Sequence, residues 1–492
     1  MKIDKNDIAV YGGSFSPPGN HHVKVVEVLI EAGFRRIIVV PCGYRDDKKT
    51  RTNDIEKLHR AVMSDMAFGH LPGVEVDLFD LEKDVFTRTW DLERRYKNQG
   101  RVWHVIGADM IIGGRAGESE IQREWEHGRE LWNKSNFVVF TRDGYNLLKE
   151  DLPPHNVVMT AAVETAKSST EIRRAIAAHE SIADMTPPLV TDYIERYRLY
   201  SAGLTVRSGE INIHSPRLLI ISDPDNLRAQ EIARYFSRFA CPQKPNMILV
   251  VGGDGTMLRA VRENWRKRLP FFGINAGHLG FLLNRIEALP EEWEDVFVSP
   301  FVVHQSPLLY VETRKHLHDW KGAFAVNDAW VERQTLQAAW IELIVRQRAN
   351  GHVTTEEWHL DKLVGNGALV STAAGSTSYA QPMGAPAMLV GSPHLVLVGD
   401  DVKFPANWEY STLDLNQEVE MVGLDGKKRP LRGSVDGVDL GRVQAMRVRT
   451  SNIAAAEFVF VKGQDLAGKL EEIQFPGAIS SSGWRKRPTT NS

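Results

Sequence analysis

Two glycine-bearing loops carry the residues of this chain that are best suited to handling phosphate. In the second half, the apolar run Asn246-Met247-Ile248-Leu249-Val250-Val251 leads at once into Gly252-Gly253-Asp254-Gly255-Thr256 and then into a helical pattern. A strand, a tight turn and a helix in that order aim main-chain N–H groups at an anion. Glycines suit the turn because a Cβ would block close approach and because positive φ is wanted. Asp254 is the informative residue, since a carboxylate inside a phosphate loop is unfavourable unless it orients or deprotonates a hydroxyl nucleophile. The structural alternative is a turn aspartate that caps the following helix. In the first half, Tyr11-Gly12-Gly13-Ser14-Phe15-Ser16-Pro17-Pro18-Gly19-Asn20-His21-His22 follows an opening strand and precedes a helix. Main-chain donors and the His22 imidazole would again face phosphate, the alternative being a helix-start histidine satisfied by backbone.

The elements that must position these loops can be read from hydrophobic period. Strand-like runs (DIAVYGG, RRIIVVPCG, WHVIGADM, NFVVFTRDG) alternate with helical patterns such as HHVKVVEVLIEAG and IEKLHRAVMSDMAFGH. Alternation of this kind predicts crossover units on a parallel sheet over residues 1–200, closed by the helix LVTDYIERYRLY after Pro187-Pro188. Residues 201–216 (SAGLTVRSGEINIHSP) have the polar, glycine-containing composition of a linker. Over residues 217–300, RLLIISD, a helix through Phe239, the GGDGT segment and LPFFGINAG predict a second α/β unit. From about residue 301 to 476, short runs such as AAWIELIVR, HLVLVGD and EFVFVKG predict a mainly β subdomain. The tail, residues 477–492, is expected to be disordered.

Composition narrows the function class. A chain of 492 residues exceeds the size of one hydrophobic core, so two or more domains are expected. With 42% hydrophobic and 25% charged residues and no apolar run of roughly 20, nothing supports a membrane span. The net charge of -3 supplies no basic field for nucleic acid, so anionic ligands must be held locally. Cys42 and Cys241 are the only cysteines, too few for a disulfide framework or thiolate metal site, which suits a cytoplasmic protein. MKIDKNDIAV has no signal-peptide core, and the mature chain is expected to begin near Met1.

Beyond the GGDGT loop, four ordered segments make the second half similar to the NAD kinase family: Gly273-Ile274-Asn275-Ala276-Gly277-His278-Leu279-Gly280-Phe281-Leu282, Asn327-Asp328, Ser371–Tyr379 (STAAGSTSY), and Asp436-Gly437. The resemblance implies Asp254 as general base for the 2′-hydroxyl of the adenosine ribose. It further implies Gly252, Gly253, Gly255 and Thr256 as the ATP phosphate site, and Asn327, Asp328, Asn366, Thr377, Ser378, Tyr379 and Asp436 around NAD. Asn327-Asp328 stands where the family has Asn-Glu. Asn366 stands where it has aspartate, and Thr372-Ala373-Ala374-Gly375 where it has Thr-Pro-x-Gly. An asparagine still donates and accepts toward a carboxamide. ATP with Mg2+ or another divalent cation would supply the phosphoryl group, and the family relationship implies a homo-oligomer formed through this half.

The first half resembles the nucleotidyltransferases that act on nicotinamide or nicotinate mononucleotide. Gly13, Phe15, Pro17 and His22 fit the pattern Gly-x-Phe-x-Pro-x-His-x-Gly-His, with Gly19 in place of its first histidine and His21 in place of its glycine. Ser168-Ser169-Thr170-Glu171-Ile172-Arg173 resembles the family's Ser-Ser-Thr-x-Ile-Arg helix start, an anion site built of hydroxyls, helix terminus and Arg173. The resemblance implies His22 as catalytic, Gly13, Ser14, Phe15, Lys48, Ser168, Ser169, Thr170 and Arg173 around ATP, and Thr89, Asp109, Trp125 and Arg142 around the mononucleotide. On pattern alone Trp125 or Trp132 would be core, since the chain has 12 tryptophans. Together the halves imply adenylyl transfer from ATP to the mononucleotide, giving NAD and pyrophosphate, then 2′-phosphorylation of NAD. The alternatives are a first domain that only senses nucleotide, a lipid or sphingoid kinase in the second half, and an adenylyltransferase acting on phosphopantetheine.

Overall fold

The computed structural model describes residues 3–44, 55–141, 147–161, 167–201, 206–277, 280–315, 319–349, 352–464, 466 and 469–470. Lys48, Arg142 and the 477–492 tail lie outside the described residues. The chain forms two compact units, Met1–Thr205 and Val206–Ser492.

In the first unit, six strands form one sheet: β1 (Asp7–Gly13), β2 (Arg36–Pro41), β3 (Val74–Val76), β4 (Arg101–Gly107), β5 (Asn136–Phe140) and β6 (Asn156–Met159). Their order is β3-β2-β1-β4-β5-β6, and every pairing is parallel. This is the doubly wound order, in which ligands bind beyond the carboxyl ends of the strands where the order reverses, here between β1 and β4. The near-continuous apolar runs follow from burial on both faces: Ile37 to Val39 and Phe137 to Val139 are fully buried. The helices are α1 (Asn20–Glu31), α2 (Lys57–Phe68), α3 (Phe79–Lys83), α4 (Thr89–Tyr96), α5 (Glu120–Glu124), α6 (Gly128–Lys134), α7 (Ser169–Ala177) and α8 (Pro188–Tyr197).

The second unit opens with a strand inside the segment read as linker. Here β7 (Ser208–Ile211) pairs with β11 (Phe301–Arg314), because Ile211 has an apolar cluster to enter. A parallel α/β portion follows: β8 (Leu218–Ser222), α9 (Leu227–Phe236), β9 (Met247–Gly252), α10 (Asp254–Asn264) and β10 (Phe271–Asn275). The rest is β: β12 (Trp320–Ala325), β13 (Asp328–Arg333), β14 (Ala339–Ala349), β15 (His352–Gly365), β16 (Gly367–Ser371), β17 (His394–Asp400), β18 (Tyr410–Asp414), β19 (Gln417–Gly423), β20 (Leu431–Val435), β21 (Val438–Val443) and β22 (Ala445–Val461). EFVFVKG, read as one short strand, is the end of the 17-residue β22. That strand continues the parallel portion through β10 and pairs antiparallel with β11 and β19, so it joins both halves of the large sheet. A second sheet, β18-β17-β16-β13-β20-β21, packs on it through Ala329, Val331, Leu397 and Leu431 against Val311, Ile341, Val419 and Val448.

Candidate functional sites

In the first unit the loop after β1 is held from several sides. Gly19 N–H donates to His22 Nδ1 at 3.0 Å, so the neutral imidazole carries its proton on Nε2. The backbone role expected of a helix-start histidine therefore occupies one ring nitrogen and fixes the tautomer. Phe15 sits at φ 44°, a left-handed conformation unusual for a bulky residue, and its buried ring meets His22 edge to face at 5.1 Å. Its side chain is thus a wedge under the loop, and its backbone is what borders the site. From α7, Ser169 Oγ donates to Pro17 O at 2.9 Å and Arg173 Nη1 to Ser16 O at 2.7 Å. Ser168 is the N-cap of α7, where it accepts from Glu171 N at 3.3 Å while its own N–H donates to Glu171 Oε2 at 2.8 Å. Thr170 Oγ1 accepts from Arg173 Nη2 at 3.4 Å.

Arg60, fully buried on α2, was missed by sequence reasoning. Its guanidinium donates to Ser14 O at 3.0 Å (Nε) and 2.5 Å (Nη2) and to Cys42 O at 2.6 Å, tying the carboxyl ends of β1 and β2 together. An arginine amid the apolar LHRAVM pattern was the available signal. Across the switch point, Asp109 lies in the turn after β4, its carboxylate folded over Gly107, where a Cβ would meet Oδ1 at 2.3 Å. Thr89 opens α4, and Trp125 ends α5 half-buried. Met110, Trp90 and Trp125 border one apolar cluster, with Asp109 and Thr89 the chain neighbours of the first two. Trp132 is core in the same cluster.

In the second unit Gly252 ends β9, Gly253 is the N-cap of α10 and Asp254 its first residue. A Cβ on Gly252 would meet Thr256 Oγ1 at 2.6 Å, whereas Gly253 and Gly255 face open space. Asp254 Oδ2 accepts from Phe281 N and Oδ1 from Leu282 N, both at 2.9 Å, which locks the first glycine loop to the second. Burial pushes the Asp254 carboxyl up, against the opposing pull of those two amides and of Lys469.

Asp436-Gly437 is the two-residue turn of the β20–β21 hairpin, with φ of 46° and 74°, as a type I′ turn requires. The turn turns the Asp436 carboxylate onto the 326–328 backbone, where Oδ2 accepts from Val326 N at 2.8 Å and Oδ1 from Asn327 N at 2.7 Å. Thr372 Oγ1 donates to Val326 O at 2.8 Å, and Gly375 lies so close that a Cβ would stand 2.5 Å from Asn327 O. Asn327 and Asp328 are thereby fixed and buried, yet among the described residues Asn327 Oδ1 and Asp328 Oδ2 have no hydrogen-bond partner. Burial and the facing Asp436 carboxylate push Asp328 up to about 7. Arg262 of α10 acts on Asp436, which connects this constellation to the helix that carries Asp254. A cavity of about 230 Å³ opens beside Asp328, lined also by Trp330, Glu332, Tyr379, Arg432 and Gly437. Thr377 and Ser378 are half-buried in the turns leading to the exposed Tyr379, whose ring lies 5.7 Å from that of Trp330. Asn366 lies toward the other end of this group, where Glu332 of the cavity lining pairs with Gly367. It precedes β16, five residues or roughly 16 Å of strand from Ser371, with its N–H on Asp400 O and its carbonyl on Arg333 N.

Two glycine-bearing turns, each feeding a helix, with a buried carboxylate in one and an imidazole in the other, suit a nucleotide-dependent transferase. The model for the ATP-NAD kinase N-terminal domain matches residues 204–298, and the cytidylyltransferase-like model matches residues 10–175. The NAD kinase of Brucella suis biovar 1 is 30% identical over 232 residues, which cover 47% of this chain and 85% of that protein. The NAD kinase of Cereibacter sphaeroides is 28% identical over 267 residues, covering 53% of this chain and 98% of that protein. A solved NAD kinase from Archaeoglobus fulgidus in complex with ATP is 20% identical, with a TM-score of 0.40 over 52% of this chain and 98% of that one. The chain belongs to the NAD kinase family, with a cytidylyltransferase-like unit ahead of the kinase.

Proposed function

We propose that the chain is a bifunctional enzyme that makes NAD in its first unit and phosphorylates it in its second. In the first step a phosphate oxygen of nicotinamide mononucleotide attacks the α-phosphorus of ATP, the bond to the β,γ-phosphates breaks and pyrophosphate leaves. No covalent enzyme intermediate is needed. His22 Nε2–H, Arg173 and the start of α7 serve the charge that develops on the phosphates, and Asp109 and Trp125 hold the mononucleotide. In the second step the adenosine-ribose 2′-hydroxyl attacks the γ-phosphorus of ATP, its proton passes to Asp254, and ADP leaves. The divalent cation is the one that accompanies the phosphates of ATP as part of the substrate.

The observation that carries the reading is the pair of unpartnered acceptors, Asn327 Oδ1 and Asp328 Oδ2, which are buried and held rigidly by Asp436 and the 371–375 turn. Such acceptors are costly unless a ligand supplies donors, and a ribose diol has two. The first unit accepts the amide form of the mononucleotide, because only then is its product the substrate of the second unit. Incubation with nicotinamide mononucleotide, ATP and Mg2+, followed by chromatography, should yield NAD and then NADP. Strict preference for the nicotinate form would sink the coupling, and absence of both products would sink the reading.

A further inference from the structure

Asp254 is held by amides that belong to a loop, and the loop needs its own anchor. Lys469, from the C-terminal segment of the described chain, is 1% exposed. Its ammonium donates to Gly280 O at 2.9 Å and to Leu283 O, the residues on either side of Phe281 and Leu282. The Phe460 ring of β22 lies 6.0 Å from Nζ. A buried ammonium is retained only where its donors are used.

We propose that Lys469 is a positioning residue of the kinase site, tying the carbonyls of Gly280 and Leu283 so that the amides between them face the carboxylate of Asp254. This inference rests on the kinase reading. Arg259, Arg262 and Glu263 on α10, Arg285 after the glycine segment, Arg447, Arg449 and Glu457 on β22 and Lys462 just after it are the other charged groups of the surrounding elements. Of all these, Lys469 is the one that acts on the Asp254 carboxylate, where it opposes the effect of burial and favours the ionised base.

The test is K469M in the full chain, assayed for NADP formation from supplied NAD across pH. Loss of the anchor should lower kcat on the order of 100-fold while each KM moves by less than about threefold. The acid limb of the pH profile should move to higher pH, and the Phe281 and Leu282 amides should lose protection from hydrogen exchange. K469Q keeps a hydrogen-bond donor without the charge, so it should shift the acid limb even if K469M does not fold. Either variant, folded, with wild-type kcat and an unmoved acid limb would overturn the proposal. A wild-type chain that makes no NADP from NAD and ATP would instead overturn the kinase reading beneath it.

Discussion

At the scale of single residues, each proposed reaction depends on one proton-handling side chain. Asp254→Asn keeps one of the two backbone hydrogen bonds, since its amide nitrogen cannot accept from a main-chain N–H, and removes the base; kcat for NADP formation should fall roughly 100- to 10,000-fold. His22→Ala removes the Nε2 donor and the anchor of Gly19 N–H; a loss of roughly 100-fold or more in pyrophosphate release is expected. Asp328 gives a stability signature. Its pKa is pushed up to about 7, so between the ordinary aspartate range and neutrality the folded chain keeps a proton that the unfolded chain releases. Its contribution is fully present below about pH 4 and is lost as pH rises through about 7. Asp328→Asn should abolish that loss, so denaturation midpoints of variant and wild type should separate as pH rises from about 4 to about 7, the variant becoming the more stable. Midpoints that run parallel would show that Asp328 is not protonated as described.

At the scale of elements, the close approach of the 371–375 turn to the start of β13 shapes the proposed NAD site. Gly375→Ala would put a methyl group 2.5–2.7 Å from three Asn327 backbone atoms, so one segment must shift. The expected cost is about 1–3 kcal/mol of stability, and kcat/KM for NAD should drop more than kcat/KM for ATP. Equal losses for both substrates would place the turn elsewhere in the mechanism. The Asp-Gly pair, met in the sequence only as a family match, forms a hairpin turn with positive φ at both positions. What its aspartate grips could not be read, since Val326 to Asp328 lie more than a hundred positions earlier.

At the scale of the molecule, the two compact units predict separable chemistry. The His22→Ala chain should still phosphorylate supplied NAD at a rate within about twofold of wild type, because His22 and Asp254 belong to separate compact units. The Asp254→Asn chain given nicotinamide mononucleotide and ATP should accumulate NAD. Reciprocal loss, in which either substitution silences both reactions, would mean that the units do not work independently.

The sequence by itself determined the loops, their order and the strand–turn–helix context of each, because apolar period and glycine spacing are local properties that the backbone must obey. It also set the doubly wound unit and the change from α/β to β near residue 301, since composition shifts with burial. Only the tertiary structure decided that β7 joins the kinase sheet, that Asn366 stands roughly five strand residues from Asp328's partner Ser371, and that Arg60 holds the loop after β1 and Lys469 the 280–283 segment. Those outcomes rest on hydrogen bonds to main-chain carbonyls and amides far along the chain. Backbone groups are the same in every residue, so no side-chain pattern announces which of them a buried cation will reach.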